Sequence, residues 1–280
     1  MNTRIAICAP ATPITREIAE QVTALCVTEF PGLELAFHDQ CFVEEGHFAG
    51  SDKQRLAAFL ECANDRSSAA VWFARGGYGS NRIAEEAIAC LAPAAHAKSY
   101  LGFSDCGFLL AGLYKAGVGR PAHGPMPVNF RAAEGPACIR RALAWFGGSD
   151  EGLEPGLDDR PTVAFNLMTL AAITGTPLMP DLSGHVVIVE EVAEHLYAID
   201  RLFFHIVAQL PGIAGLRLGM VTAVPENDRP FGCEAEDIAR HWCGVAGIPY
   251  LGRAQIGHSA ANTIVPFGTP GGLARAPHRA

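Results

Sequence analysis

Through the first half of the chain, short apolar runs rich in β-branched residues alternate with stretches of helical hydrophobic spacing. That pattern predicts parallel βα units whose strands are covered on both faces. Arg4 to Ala9 reads as the first strand. Ile14 to Phe30 then carries Ile18, Val22, Leu25 and Cys26 at helical intervals, with Gly32 where a stop is expected. Leu33 to Phe37 is a second strand. Ser51-Asp52-Lys53-Gln54 has the form of a capping box, opening a helix whose buried stripe is Leu56, Phe59, Leu60 and Ala63. The buried strand Ala69 to Ala74 runs into Arg75-Gly76-Gly77-Tyr78-Gly79-Ser80 before a helix with Ile83, Ala87, Ile88 and Leu91. Tyr100 to Phe103 is another strand, followed by a turn and an apolar helix from Cys106 to Leu113. Both turns sit at carboxyl ends of strands, the edge where ligands bind in open α/β sheets.

Regularity then drops. A short helix near Ile139 to Phe146 precedes Gly147-Gly148-Ser149-Asp150-Glu151-Gly152 and Pro155-Gly156, which read as a linker. Beyond it come a helical stretch at Leu167 to Ile173, a strand at His185 to Val189, a helix at Ile199 to Leu210, and short strands near Gly219 to Val224 and Asn262 to Pro266. The expected organisation is an α/β fold in two parts. Residues 1–131 form an amino-terminal parallel-sheet domain, 132–160 a linker, 161–270 a smaller β-rich carboxyl-terminal domain, and 271–280 a frayed tail.

Composition narrows the class. The 280 residues, at 29.6 kDa, are enough to bury a sizeable core without staples. Twenty-one Lys and Arg against 29 Asp and Glu give a formal net charge of −8, and 49% of residues are hydrophobic, which excludes disorder and a basic nucleic-acid binder. The same sign disfavours an anionic membrane surface. Nine cysteines, odd in number and without a C-x-x-C, read as reduced and mostly buried rather than as a disulfide framework or zinc knuckle. The first apolar stretch, Ile5 to Ala9, is broken by Pro10 and too short for a secretory signal, and the charge-free stretch Pro161 to Pro180 is too polar for a membrane span. These features predict a cytoplasmic protein, and no cofactor or metal is expected.

Three distant segments each present a residue type that hydrolysis needs. Gly102-Phe103-Ser104-Asp105-Cys106-Gly107 places a serine at a strand-to-helix turn, close to a nucleophile elbow although its second glycine comes one residue late. An ordinary helix cap has the same local form. His185-Val-Val-Ile-Val-Glu190-Glu191 is a strand ending in two carboxylates on opposite faces, one expected toward solvent and the other toward a cleft. Gln255-Ile256-Gly257-His258-Ser259 sets an imidazole in a loop before the last strands. Ser104, Glu190 and His258 together are a nucleophile, an acid and a base, the set required to activate a weak hydroxyl nucleophile.

These segments, with Arg75-Gly76-Gly77-Tyr78-Gly79, His123-Gly124-Pro125-Met126, Gly175-Thr176-Pro177, Glu190-Glu191-Val192 followed by Tyr197 and Asp200-Arg201, and Gly257-His258 followed by Pro266 and Gly268, closely resemble the LD-carboxypeptidase family, the S66 serine peptidases. The resemblance runs from about Ile5 to Gly268. It implies a metal-independent serine carboxypeptidase that releases the terminal D-alanine of a murein tetrapeptide by cutting an L,D-bond during cell-wall recycling. By the same resemblance Ser104 is the nucleophile, His258 the general base and acid, and Glu190 the residue that orients the histidine. Backbone N–H groups of Asp105 and of Gly76 or Gly77 would form the oxyanion hole. Arg75 and Asn166 are the candidates for binding substrate, Arg75 at its free carboxylate. A homodimer is also implied. The chain departs from the family pattern at Ala164-Phe165-Asn166-Leu167, Glu191 and Ala9-Pro10-Ala11, none of them a triad position.

Other readings make different demands. A family relative that cleaves a toxic peptidyl-nucleotide shares the triad but tends to be longer, with an added aromatic loop. A non-catalytic module cradling a phosphate on the Gly76 turn would call for a nucleotide fingerprint such as G-x-G-x-x-G or G-x-x-x-x-G-K-[ST], and the chain has neither. A zinc peptidase would call for H-E-x-x-H or a close His/Cys/Asp cluster, which the chain lacks.

Overall fold

The computed structural model describes residues 2–269, so the expected tail lies outside the described residues. Strands β1 (Thr3–Cys8), β2 (Leu33–Phe37), β3 (Ala70–Phe73), β4 (Ser99–Gly102) and β5 (Arg120–His123) pair in parallel in the order β5-β4-β3-β1-β2. Alternate residues of β1 show why the strands read as continuous apolar runs. Ile5 and Ile7 enter one core while Ala6 and Cys8 enter the other, so neither face meets water.

The helices α1 (Arg16–Glu29), α2 (Asp52–Asn64), α3 (Asn81–Ala89) and α4 (Gly107–Lys115) connect these strands. Thr15 caps α1 by accepting from the Ile18 amide at 3.4 Å. At α2 the capping box forms: the Ser51 amide donates to Gln54 Oε1 at 2.9 Å and the Gln54 amide to Ser51 Oγ at 3.4 Å. The segment 132–160, expected as a linker, opens with α5 (Gly135–Phe146). This helix packs on α1 and buries Ile139, Ala142 and Leu143 in the core that holds Ile5 and Ile7, because its apolar positions recur at helical spacing. Only the part after Phe146 is irregular.

A second, four-stranded parallel sheet follows, with β6 (Thr162–Asn166), β7 (Val186–Val192), β8 (Gly215–Thr222) and β9 (Tyr250–Arg253) in that order. Helices α6 (Leu167–Ile173), α7 (Leu196–Gln209) and α8 (Ala235–Ala246) accompany it. The last strand, β10 (Val265–Pro266), leaves this part of the chain and pairs antiparallel with β5, Val265 opposite His123 and Pro266 opposite Ala122. One continuous core joins the two sheets, containing Phe59, Phe73 and Leu109 from the first and Phe165, Val187, Phe203 and Ile238 from the second. An apolar junction of this kind holds the halves in fixed relation. Of the cysteines, Cys8, Cys26, Cys41, Cys62, Cys106, Cys138 and Cys243 are buried, Cys233 is half-buried and Cys90 exposed.

Candidate active site

The carboxyl ends of β3 and β4 lie side by side and carry the two turns. Ser104 follows β4 with φ of 58°, the left-handed region that non-glycine residues seldom adopt. The turn is tied to its neighbour through Asp105. Its carboxylate accepts from the Ser80 amide at 2.8 Å and the Gly79 amide at 3.2 Å, and the Ser80 hydroxyl donates to the Asp105 carbonyl at 2.5 Å. Burial pushes the Asp105 carboxyl up, against these hydrogen bonds and the Arg55 charge. Gly76 touches the serine turn so closely that a Cβ there would lie 3.1 Å from Ser104 Cβ and 3.3 Å from the Asp105 nitrogen. The Gly76 carbonyl is held by Thr12 Oγ1 at 2.5 Å. Gly77 is exposed, with φ of 101°.

Opposite this edge, the second sheet supplies the base and the acid. His258 sits in the loop after β9, with its Nε2 3.2 Å from Ser104 Oγ and its Nδ1 2.8 Å from Glu190 Oε2. Glu190 lies on β7 with no exposed side-chain surface, whereas His258 is 25% exposed. A carboxylate oxygen accepts, so Nδ1 carries the proton and Nε2 is left to accept from the serine hydroxyl. Gly257 permits the approach: its φ is 135°, and a Cβ there would fall 3.3 Å from both Glu190 Cβ and Oε2. The Phe103 ring packs 4.8 Å from the His258 ring, and behind it, 5.4 Å away, lies His123.

The sequence-based candidates are therefore distributed unevenly. Ser104, Glu190 and His258 meet in one hydrogen-bonded line, with Gly76 and Asp105 beside the serine. Asn166, a candidate for substrate binding, is turned to other work. Its Nδ2 donates to Glu191 Oε1 at 2.7 Å, while its Oδ1 caps α6 by accepting from the Thr169 amide at 3.0 Å. Both polar ends are engaged, because the residue sits at a strand-to-helix junction that needs a cap. Arg75 is half-buried and donates to the Pro13 carbonyl at 3.2 Å. Burial, and after it the Arg131 charge, lowers its guanidinium from the usual value.

The expectation that one of the paired acids faces solvent is corrected. β7 runs on to Val192, and Glu191 is only 3% exposed, accepting from Asn166 Nδ2, the Val192 amide at 2.8 Å and the Met168 amide at 2.9 Å. A register irregularity between Val189 and Glu191 against β8 accompanies this placement. Burial raises the Glu191 carboxyl despite its donors. The sequence around His123 gives no sign of its environment, yet it is 1% exposed with neither ring nitrogen hydrogen-bonded among the described residues. Burial, and then the neighbouring His258, push its imidazole down to about 3.

Among the described residues no helix is long and apolar enough to cross a membrane, and no group of three or more His, Cys, Asp or Glu side chains is placed to hold a metal ion. The chain is 28% identical over 279 residues to a protein of Bacillus subtilis named probable murein peptide carboxypeptidase, covering 94% of this chain and 86% of that one. Its fold is similar to the crystal structure of a muramoyltetrapeptide carboxypeptidase from Oxalobacter formigenes, with a TM-score of 0.78, 24% identity and coverage of 95% and 93%. It is similar also to MccF in complex with glutamyl sulfamoyl guanosine, with a TM-score of 0.77, 16% identity and coverage of 95% and 91%. Residues 5–124 match the model of the LD-carboxypeptidase N-terminal domain and residues 161–273 that of the C-terminal domain, so the chain belongs to the LD-carboxypeptidase family of serine peptidases.

Proposed function

We propose that the protein is a serine carboxypeptidase that hydrolyses the L,D-peptide bond before the terminal D-alanine of a murein tetrapeptide, with Ser104, His258 and Glu190 as its triad. The observation that carries this reading is the unbroken line from Ser104 Oγ through the His258 ring to buried Glu190, at 3.2 and 2.8 Å. In the mechanism, Ser104 Oγ attacks the scissile carbonyl as His258 Nε2 takes its proton. Glu190 holds the imidazole in the required tautomer and balances the imidazolium. The amides of Asp105 and of Gly76 or Gly77 receive the negative oxygen of the tetrahedral intermediate. His258 then returns the proton to the departing amine, and water hydrolyses the acyl-enzyme by the same steps. Arg75 is kept as the candidate for the free carboxylate of D-alanine. The names of the Bacillus and Oxalobacter proteins support the murein substrate. The reading includes a cytoplasmic setting and a homodimer.

The test uses a defined tetrapeptide containing both L,D- and D,D-bonds, its products read by mass spectrometry. Release of D-alanine alone is expected. Ser104→Ala or His258→Ala should lower kcat on the order of 10⁴ to 10⁶ with the fold intact. Turnover of an aminoacyl-adenylate analogue in preference to the tetrapeptide would move the assignment to the peptidyl-nucleotide activity, and turnover by Ser104→Ala would remove the serine mechanism.

A further inference from the structure

The loop that carries His258 is closed at its base by one carboxylate from the connection between the two sheets. Glu154 is 2% exposed, although the local sequence around it is irregular and polar. Its Oε2 accepts from both legs of the loop, from the Gln255 amide at 2.8 Å and from Thr263 Oγ1 at 2.9 Å. The two legs are also paired to each other, since the Thr263 amide donates to the Gln255 carbonyl at 2.8 Å. Its other oxygen, Oε1, accepts from Arg217 Nη2 at 2.9 Å, and the same Nη2 donates to the Arg253 carbonyl at 2.5 Å. Arg217 stands on β8, which pairs directly with the strand bearing Glu190.

One buried anion therefore fixes the start and the end of the 255–263 loop to the sheet that holds the acid. The middle of the loop has its own brace, the Gly257 amide donating to Asn262 Oδ1 at 3.0 Å, and Arg141 Nη1 of α5 reaches the Asn262 carbonyl at 2.6 Å. We propose that Glu154 is a positioning residue for the reaction: by clasping both legs of this loop to Arg217 it sets the place of the His258 ring between Ser104 and Glu190. A neutral residue would leave the Arg217 guanidinium without its ion-pair partner in the interior, and a shorter one would not span the loop and the strand together. Glu154 touches neither substrate nor the reacting atoms. The proposal rests on the reading of His258 as the general base.

The effect belongs to the chemical step. Small displacements of a proton-transfer group cost rate steeply, whereas no bond of the clasp reaches the cleft. Thr263→Val, which keeps the shape and deletes the hydroxyl, should lower kcat roughly tenfold while KM stays within about twofold, and labelling of Ser104 by a serine-directed phosphonate should slow in parallel. Thr263→Ser, which restores the donor, should return kcat to within about twofold of the parent. Glu154→Gln should lose roughly 100-fold in kcat per folded molecule, counted by active-site labelling.

A Thr263→Val enzyme with parental kcat, or one whose loss Thr263→Ser does not repair, overturns the proposal even if Glu154→Gln fails to fold. Ser104→Ala and His258→Ala run beside these as controls. If they keep turnover, the reading of the site has failed; if they abolish it while Thr263→Val leaves kcat unchanged, only the clasp has failed.

Discussion

Replacing His123 with a residue that cannot take up a proton should make the protein markedly less sensitive to acid. The imidazole is buried behind Phe103 and its value is pushed down from 6.5 to about 3, first by burial and then by the neighbouring His258. A group whose folded-state value is depressed in this way is neutral in the folded state and protonated in the unfolded state between those two pH values. Stability from this source is complete above pH 6.5, falls as the pH drops through the window, and is exhausted near pH 3. At pH 4 the unfolded chain gains 6.5 − 4 = 2.5 pH units of protonation free energy that the folded chain forgoes, or about 3 kcal/mol at about 1.4 kcal/mol per unit. That is a large share of the roughly 5–15 kcal/mol that holds a native protein together. The assay is urea denaturation of the parent and of His123→Phe and His123→Leu at a series of pH values from 7 to 4. Carboxylates contribute equally to all three proteins, so the difference between the curves isolates position 123. The parent should lose about 3 kcal/mol relative to either variant over that range. Curves that stay parallel would refute the buried neutral imidazole.

The backbone at Ser104, with φ of 58°, should make Ser104→Gly more stable than Ser104→Ala by about 1 kcal/mol, measured calorimetrically, although both are inactive. Equal melting temperatures would mean that the turn is unstrained. Glu190→Gln should lower kcat by at least about 100-fold, whereas Glu191→Gln, whose parent accepts hydrogen bonds from Asn166 and Met168 at the start of α6 and from the Val192 amide, should cost about 1–3 kcal/mol of stability and spare most of the activity. Similar kcat losses with no destabilisation at 191 would reverse the two roles. Gly76→Ala, which places a methyl group 3.3 Å from the Asp105 nitrogen, should reduce kcat on the order of 10²- to 10³-fold, and a fully active variant would remove that amide from the oxyanion hole.

Much of this arrangement is legible in the sequence where local chemistry decides it. The strands through Phe103, the capping box at Ser51 and the serine turn each depend on residues close in the chain. The fate of Glu191 does not. Its neighbours Asn166 and Met168 come from a different βα unit, and a pair of acids ending a strand gives no sign that both are buried. β5 gives no strand signal, because Arg120-Pro121-Ala122-His123 carries a proline and no alternation. Glu154 illustrates the same limit: its partners Gln255 and Thr263 lie about a hundred positions away, and nothing in the Gly-rich stretch around it marks it as interior.

The return of β10 to the first sheet affects the order in which the protein can be completed on a ribosome. Until Val265 and Pro266 emerge, the amino-terminal sheet is translated with the outer edge of β5 open, an unpaired edge of the kind that invites association between nascent chains. The residues that close it follow His258 by only a few positions, so edge protection and the histidine arrive almost together, and a chain released early would lack both.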